Sequence, residues 1–309
     1  STGKILAMVS SPNFDPNTVE EQWSWLTSEE NTTQNMMNHA TQGTYPPGST
    51  FKLITLLEYI RENPDTWQDF HYTCTGTYTN GDYVVNCHDG VAHGELDIYG
   101  ILGMSCNGAF DTIAQTLNST KWQKLAEDFG YNQSDRSQVD FPYKKSHFDI
   151  ASDDSVWSRM QLAIGQGTTT VTPLLNLMMY AAIANDGVML KPYLFKSVVN
   201  GKGQTTAEGK SEKLVETMDT DTAQEIKEAM KAAAQSYGMS TVGEKEYSIA
   251  AKTGTAERGD GTNNAWLVTF APADNPQYVI VANRLKTTEI GKTLAPVVED
   301  LYNTLFDAN

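Results

Sequence analysis

The distribution of apolar residues along the chain predicts strands at its two ends and helices in its middle. Lys4–Ser10 is mostly apolar and turn residues follow it, so it predicts a first strand. Leucines and isoleucines recur at helical spacing after Ser49, which predicts a helix that begins there. Thr172–Asn185 is apolar on nearly all sides and predicts a buried helix. Leu214–Tyr237 predicts a long helix that ends at Gly238.

Three further strands are predicted near the C-terminus, at Glu246–Thr255, Ala265–Phe270 and Tyr278–Asn283. Their short connections are typical of antiparallel neighbours, and the first strand would join them from the far end of the chain. This order predicts an α+β fold, an antiparallel β-sheet flanked by helices with a mostly helical subdomain, rather than an alternating βαβ protein. A last helix is predicted to bury one stripe, formed by Leu294, Val297, Val298, Leu301 and Leu305.

Charge and composition exclude several classes of protein. The 309 residues suffice for a hydrophobic core, and the net charge of −16 argues against a nucleic-acid binder or a polybasic membrane-surface module. With 39% hydrophobic and 19% charged residues, the chain is not a disordered acidic tail. No apolar run reaches the ~20 residues that span a bilayer. No signal peptide opens the chain, so we expect either a cytoplasmic protein or one that has lost an N-terminal segment.

One short segment could provide a nucleophile with its own base. In Ser49-Thr50-Phe51-Lys52, a helix would place the Ser49 hydroxyl and the Lys52 amine on one face. Free N–H groups at a helix N-terminus favour developing negative charge, and burial can lower the pKa of a lysine until it acts as a base. A capping serine followed by a solvated lysine would give the same tetrapeptide, so this motif alone does not indicate catalysis.

Two further motifs change that interpretation. Ser105-Cys106-Asn107 lies between predicted helices, and Lys252-Thr253-Gly254-Thr255 ends a predicted strand. Each alone would suit a helix cap or a strand leading into a turn, but the three in this order are a signature of penicillin-binding proteins and serine β-lactamases. The chain therefore resembles a penicillin-binding protein transpeptidase domain, of the class B kind. The resemblance is weakest over Val19–Gln34 and extends to Gly3–Ser10, Tyr45–Lys52, His93-Gly94, Ala163–Gly167, Ala184–Gly187 and Ala265-Trp266.

The resemblance implies acyl transfer through a serine ester. The donor would be a peptidoglycan stem peptide ending in D-Ala-D-Ala, β-lactams would be covalent inhibitors, and no metal or organic cofactor would be needed. Ser49 would attack, Lys52 would take its proton, and Ser105, tuned by Lys252, would relay a proton to the leaving amine. The substrate-binding residues implied are Asn107 for an amide, Thr253 and Thr255 for the terminal carboxylate beside Lys252, Gly254 for close approach of the substrate backbone, and the N–H groups of Ser49 and Thr255 as the oxyanion hole.

The resemblance also implies an organisation and a location. We expect one transpeptidase catalytic domain over residues 1–309, with a sheet subdomain of about 1–48 and 240–309 and a mostly helical subdomain of about 60–200. Proteins of this family act on the extracytoplasmic face of the cell membrane, through an N-terminal anchor and with wall-synthesis partners. We expect that anchor to be absent from this chain.

Two related functions and a second nucleophile stay open as alternatives. A class A β-lactamase would carry Glu-x-x-Leu-Asn, and neither Leu117-Asn118 nor Leu175-Asn176 has the glutamate. A class D β-lactamase or a β-lactam sensor would have Ser-x-Val where Asn107 stands. The Cys106 thiol could replace Ser49 as nucleophile, although the adjacent Lys52 favours the serine.

The cysteines Cys74 and Cys87 form a candidate disulfide. If Asn80-Gly81 is the centre of a hairpin over residues 71–88, they face each other at a non-hydrogen-bonded pair, close enough to be bridged. An extracytoplasmic location would permit that bond and leave Cys106 free. Two reduced thiols are one alternative, and a metal ion bound by Cys74, Cys87 and His88 or His93 is another.

Overall fold

The structure is a computed structural model that describes residues 2–87, 90–133 and 139–307. Helices and antiparallel sheets combine in it as predicted, which confirms the α+β class. None of the helices within these ranges has the length and apolarity needed to cross a membrane. The helices are α1 Val19–Leu26, α2 His39–Gln42, α3 Lys52–Glu62, α4 Ile98–Gly103, α5 Asn107–Ala114, α6 Ser119–Asp128, α7 Val156–Ala163, α8 Pro173–Ala184, α9 Thr220–Ser236 and α10 Ala295–Asp307. The strands are β1 His71–Cys74, β2 Thr77–Asn80, β3 Tyr83–Asn86, β4 Gly94–Asp97, β5 Val188–Leu190, β6 Ser197–Val199, β7 Thr205–Glu208, β8 Lys213–Glu216, β9 Thr241–Val242, β10 Tyr247–Ser248, β11 Ala250–Glu257, β12 Asn263–Ala271 and β13 Tyr278–Thr287.

The main sheet has the order β11–β12–β13 and is antiparallel throughout. Side chains alternate along its central strand, β12, and both faces of that strand are buried. Trp266 and Val268 pack into the large core that includes α3 and α8, whereas Ala265 and Leu267 pack into a smaller core that includes α10. The sheet is therefore covered by helices on both faces, and β11 forms one of its edges.

The helical predictions near the centre of the chain are confirmed. The apolar face of α3, with Leu53, Leu56, Leu57 and Ile60, is buried as its spacing predicts. Residues 95–130 form three helices, α4, α5 and α6. The Thr172 hydroxyl caps the buried helix α8 by accepting a hydrogen bond from the Leu175 N–H (3.1 Å).

The predicted first strand, Lys4–Ser10, is wrong. Its backbone bonds to the segment around Tyr193 instead of the main sheet: Ile5 N–H donates to Tyr193 O (3.0 Å), and Tyr193 N–H donates to Gly3 O (3.1 Å). Only the single bridge between Lys4 and Tyr193 results, and both Leu6 and Val9 are exposed. Apolar composition predicted extended backbone here, but it does not specify the partner of a strand.

A hairpin is present, but it spans Thr77–Asn86 instead of residues 71–88, and its register differs. Asn80 pairs with Tyr83, so the two-residue loop is Gly81-Asp82, with Gly81 at φ +60°. A glycine at the first loop position suits the turns that favour tight hairpins. Cys74 lies outside this hairpin and faces Gly94 of β4, so the cross-strand pairing proposed for Cys74 and Cys87 is wrong. All three cysteines are free thiols in the structure.

Two helix predictions also need correction. The long helix begins at Thr220 rather than Leu214, because the Asp219 carboxylate caps it by accepting from the Thr222 N–H (2.7 Å). In α10 the buried residues include Val298, Tyr302 and Phe306, whereas Val297 and Leu301 of the predicted stripe are exposed. The Tyr302 and Phe306 rings stack on each other, so aromatic contacts determine which face of this helix is buried.

Candidate active site

Ser49 lies in a single 3₁₀ turn, Gly48–Thr50, that leads into α3. Its side chain is partly exposed, whereas its two neighbours in the turn are buried. The Gly48 N–H donates to Gly165 O (3.0 Å), and the Tyr180 hydroxyl donates to Thr50 O (2.9 Å). The turn is thus fixed on both sides of the serine, and the hydroxyl stands at the N-terminal end of a helix.

Two glycines allow other backbone segments to approach this turn. A Cβ atom on Gly165, which has φ +72°, would lie 2.2 Å from Gly48 O, far inside contact distance. A Cβ atom on Gly254 of β11 would lie 2.8 Å from Pro47 O and 3.0 Å from the Thr50 methyl carbon. The glycine of the Lys-Thr-Gly motif is therefore needed for packing against the nucleophile turn, a role distinct from the substrate clearance that the resemblance implies.

Hydrogen bonds join the three sequence motifs at Ser105. The Lys52 ammonium donates to Ser105 O (2.6 Å), Ser105 Oγ (3.2 Å) and Asn107 Oδ1 (2.6 Å). The Lys252 ammonium donates to the same Ser105 Oγ (2.9 Å) and to Thr253 O (3.0 Å). Residues separated by up to 200 positions in the chain thus form one polar cluster, with the Ser105 hydroxyl between the two lysines.

Both lysines are fully buried, and burial lowers their pKa. Desolvation lowers the pKa of Lys52 from 10.5 to about 8, a value that leaves part of the amine neutral near neutral pH. Desolvation also lowers the pKa of Lys252 well below its usual range, and the neighbouring Lys52 charge lowers it further. The charge on one amine disfavours the charge on the other. Amines with pKa values lowered in this way can take up and release protons during a reaction.

The Ser105–Asn107 segment turns sharply before α5. Ser105 has φ +53°, and Asn107 is the first residue of α5. The Asn107 amide donates to Asn86 O (2.8 Å) while its oxygen accepts from Lys52, so its position is fixed from both ends. The conformation of this loop therefore determines where the Ser105 hydroxyl lies relative to the two lysines.

Thr253 and Thr255 are less closely connected to the cluster. Side chains alternate along β11, so both threonines lie on the face opposite Lys252 and are partly exposed. Thr255 Oγ1 accepts from the Gly291 N–H (3.3 Å). Among the described residues no hydrogen bond joins either threonine to Lys52 or Ser105, and their role in carboxylate binding stays a prediction.

Asp111 is a buried carboxyl group that the motif search missed. It lies one helical turn after Asn107, and neither carboxyl oxygen has a hydrogen-bond partner in the described part of the chain. Burial raises its pKa from 3.8 to about 8, although the Lys52 charge opposes the shift. The group is therefore mostly protonated at neutral pH. The sequence held one indication of this residue: Asp111 is four residues after Asn107, so a helix places both side chains on the same face.

A second cluster lies directly behind this one. The side chains of Cys74, Cys87, His93 and Cys106 converge, with their potential ligand atoms all within 4.8 Å of one another. Cys106 was expected to be a free thiol and was weighed as an alternative nucleophile. It is a free thiol in the structure, and its complete burial argues against its acting as the nucleophile. These are the described residues that could hold a metal ion; His88, the other histidine considered, lies outside the described residues.

The amino-acid sequence is similar to a known family of proteins over nearly its whole length. The family model of the penicillin binding protein transpeptidase domain matches residues 1–303. The chain is 28% identical to the peptidoglycan D,D-transpeptidase PbpA of Mycolicibacterium smegmatis, over 96% of this chain and 63% of that protein. It is also 28% identical to the peptidoglycan D,D-transpeptidase MrdA of Acinetobacter baumannii, over 90% of this chain and 45% of that protein. The chain thus spans less than two thirds of the length of these relatives.

Solved structures with the same fold include β-lactam complexes. The ceftriaxone acyl-enzyme complex of penicillin-binding protein A from M. tuberculosis superposes with a TM-score of 0.82 at 28% identity, covering 96% of this chain and 69% of that one. The D,D-transpeptidase domain of a peptidoglycan glycosyltransferase from Eggerthella lenta gives a TM-score of 0.86 at 27% identity, covering 98% and 75%.

Proposed function

This chain belongs to the family of penicillin binding protein transpeptidase domains, and on that premise we propose that it is a serine D,D-transpeptidase that cross-links peptidoglycan stem peptides. The observation that carries the proposal is the shared Ser105 hydroxyl, which accepts hydrogen bonds from both Lys52 and Lys252. Lys52 lies three residues after Ser49 in the chain, at the start of α3. We propose residues 1–309 as one catalytic domain, on the extracytoplasmic face of the membrane with wall-synthesis partners, as for the peptidoglycan enzymes that it resembles.

In the acylation step, Ser49 Oγ attacks the carbonyl carbon between the two D-alanines and forms a C–O bond. Neutral Lys52 accepts the hydroxyl proton, and the N–H groups of Ser49 and Thr255 stabilise the oxyanion. The C–N bond then breaks, and D-alanine leaves with a proton delivered through the Ser105 hydroxyl. Both lysine side chains are hydrogen-bonded to the Ser105 hydroxyl, so the proton has a short path. Ser105 can give a proton to the substrate and regain one from Lys52 or Lys252.

In the second step, the amine of a neighbouring stem peptide attacks the ester carbonyl. The same groups act in reverse: Ser49 regains its proton as the C–O bond breaks, and a new amide remains. Substrate would lie along the edge strand β11, with Asn107 at an amide and with Thr253, Gly254 and Thr255 along the strand. A test is transfer of a D-Ala-D-Ala peptide to a labelled D-amino acid, read by mass spectrometry; release of D-alanine with no transfer product would overturn the transpeptidase assignment.

The rate of acylation should rise with pH and then level off. Only neutral Lys52 can accept the Ser49 proton, and the folded-state pKa is about 8, below the ordinary 10.5. Below that pKa we expect the rate constant for acylation by benzylpenicillin to rise about tenfold per pH unit, and above it to reach a plateau. Stopped-flow measurement of acylation at a series of pH values checks this, and a rate independent of pH over the same range would contradict the base role of Lys52.

The acyl-enzyme formed with penicillin should be long-lived. Among the described residues, Asp111 is the carboxyl group whose ionised form would act on Lys52. Because its pKa is about 8, however, Asp111 is mostly protonated and uncharged at neutral pH. A protonated, buried carboxyl cannot activate water. We therefore expect the mass adduct to persist long after free penicillin is removed. Rapid multiple turnover would instead indicate a serine β-lactamase, and a stable adduct combined with no transfer to D-amino acids would indicate a β-lactam sensor.

A further inference from the structure

Two aromatic side chains, Tyr83 and Trp157, form an exposed pair outside the polar cluster of the active site. Tyr83 begins β3 and Trp157 is the second residue of α7, and their rings stack with centroids 5.6 Å apart and 28° between the ring planes. The two side chains are 41% and 40% exposed. Because stacking covers only one face of each ring, the pair keeps apolar surface open to solvent, which is typical of a binding surface.

The elements that carry this aromatic pair hold it in place. Tyr83 lies in the hydrogen-bonded hairpin of β2 and β3. The Ser155 hydroxyl caps α7 by accepting a hydrogen bond from the Ser158 N–H (3.1 Å), and the Arg159 guanidinium donates to Ala114 O (2.6 Å), which ties the helix to the end of α5. A surface that is already ordered loses little conformational entropy when a ligand binds.

Two paths of similar length lead from the active site to the aromatic pair. The Asn86 carbonyl accepts from the Asn107 amide, and Tyr83 lies three residues before Asn86, ~10 Å along the strand. Gly165, which bonds to the nucleophile turn, follows the C-terminal end of α7, so the length of that helix, ~12 Å, separates it from Trp157. The pair therefore lies about 10–12 Å from the site along either path.

This distance matches the length of a stem peptide. The proposed function places the terminal carboxylate of the stem beside Lys252 and Thr253, so the rest of the stem leaves past Asn107, on the other side of Ser49. About four residues separate the scissile bond of a stem from the sugar that carries it, and they span ~13 Å when extended. The sugar at the start of the stem would thus reach the aromatic pair.

The chemistry of the pair suits a sugar ring. The C–H groups on one face of a pyranose are attracted to the negative face of an aromatic ring. The Trp157 indole N–H and the Tyr83 hydroxyl form no hydrogen bond with any residue that the structure describes, so both are available to sugar hydroxyls or to the carbonyl of an N-acetyl group.

The charges beside the pair disfavour an anionic ligand. Asp82 directly precedes Tyr83, and Asp153 and Asp154 lie just before α7. Arg159 is the nearby cation in the chain, and its guanidinium is already bonded to backbone carbonyls. A phosphate-rich polymer would therefore meet net negative charge here, whereas a neutral N-acetylated sugar would not.

We propose that Tyr83 and Trp157 form a subsite for the sugar of the glycan strand that carries the donor stem peptide. The inference rests on the proposed transpeptidase function and adds the glycan strand to what this site recognises. Because the sugar and the peptide belong to one molecule, binding at the pair raises the effective concentration of the stem at Ser49. A stem with its sugar therefore binds more tightly than the same peptide alone.

Binding without turnover gives the direct test. Isothermal titration calorimetry on the Ser49→Ala variant compares two ligands that end in D-Ala-D-Ala. One is a pentapeptide attached to the disaccharide of N-acetylglucosamine and N-acetylmuramic acid, and the other is the same pentapeptide with an acetylated N-terminus. We expect the sugar-bearing ligand to bind at least tenfold more tightly, and equal affinities would overturn the proposal.

Removal of either ring should abolish that preference. In the Ser49→Ala background, Tyr83→Ala and Trp157→Ala should lower the ratio of the two affinities to about one, whereas Tyr83→Phe keeps the ring and should keep most of the preference. Trp23→Ala is the matched control, because it removes a tryptophan of similar exposure from α1, and it should leave both affinities as they are. A ratio that Trp157→Ala does not change would contradict the subsite.

The same variants distinguish the sugar from the peptide as the group that the rings hold. If Trp157→Ala weakened both ligands equally, the rings would bind the stem itself, for example an amine of its side chain through a cation–π contact, and the glycan assignment would be wrong. Since these measurements need no acyl transfer, an absent sugar preference contradicts the subsite alone. Absent transfer to a D-amino acid would instead contradict the transpeptidase assignment.

Discussion

Replacement of Ser49 by alanine should abolish the covalent β-lactam adduct. The hydroxyl is the atom that forms the ester, and it stands partly exposed at the start of α3, one turn from Lys52. Intact-mass spectrometry with benzylpenicillin should show one adduct per chain in the original protein and none in Ser49→Ala. Since the change removes a single oxygen from a turn held by backbone hydrogen bonds, the thermal unfolding midpoint should shift little.

Ser211→Ala is the matched control, because this serine is exposed and lies far along the chain from the three motifs. It should form the adduct at the original rate. Peptide mapping should place the adduct on Ser49, and an adduct that persists in Ser49→Ala or maps to Cys106 would contradict the mechanism. The complete burial of Cys106 is the physical reason to expect the serine.

Replacement of Lys52 should slow acylation by more than ~10⁴-fold. Loss of a general base alone typically costs ~10²–10⁴-fold, and Lys52 also bonds to both Ser105 and Asn107. Removing it therefore deletes the base and releases the loop that carries the proton relay. Stopped-flow or slow-adduct kinetics with benzylpenicillin measure the effect.

A truncation at this position also opens a cavity in the core, since Lys52 is fully buried against the Phe110 ring. Lys52→Met keeps most of the volume and should be folded yet as inactive as Lys52→Ala. Lys202→Ala, in the exposed turn between β6 and β7, is the control and should acylate normally. Near-original acylation by folded Lys52→Met would show that another group acts as the base.

Local patterns were sufficient for elements whose neighbours are close in sequence. The spacing of Leu53, Leu56, Leu57 and Ile60 predicted the buried face of α3, and the apolar run after Thr172 predicted the buried helix α8. The convergence of Lys52, Ser105, Asn107 and Lys252 was predicted from three short motifs in a fixed order, and the hydrogen bonds confirm that these four residues meet. The oxyanion hole and the threonine contacts stay predictions.

Features that depend on distant pairing were not accessible in the same way. The partner of Lys4–Ser10 is set by contacts almost 190 residues away, and hydrophobicity alone does not encode them. The hairpin register moved by one position because the favourable turn places Gly81 first rather than second. Aromatic stacking, rather than aliphatic periodicity, selected the buried face of α10 at Tyr302 and Phe306.

The residues missed near the site share one physical cause. Asp111, and Cys106 as a fourth member of the thiol–histidine cluster, are brought to the site only in the folded chain, and neither stands out in its own segment. The sequence did pair Cys74 with Cys87, but through a hairpin register that the structure replaces with pairing of Cys74 and Gly94. The sequence offered Cys74, Cys87 and His93 as one alternative metal site, and the folded chain brings these three together and adds Cys106.

The two glycines that pack against the Ser49 turn also limit how such an enzyme can evolve under antibiotic pressure. Gly165 and Gly254 press against the nucleophile turn at distances where even a methyl group collides with carbonyl oxygens. Substitutions at these two positions would displace the nucleophile for β-lactam and natural substrate alike, so they offer no selective escape. We therefore expect both glycines to stay fixed in any working enzyme of this kind, and resistance to arise at positions that do not press against the nucleophile turn.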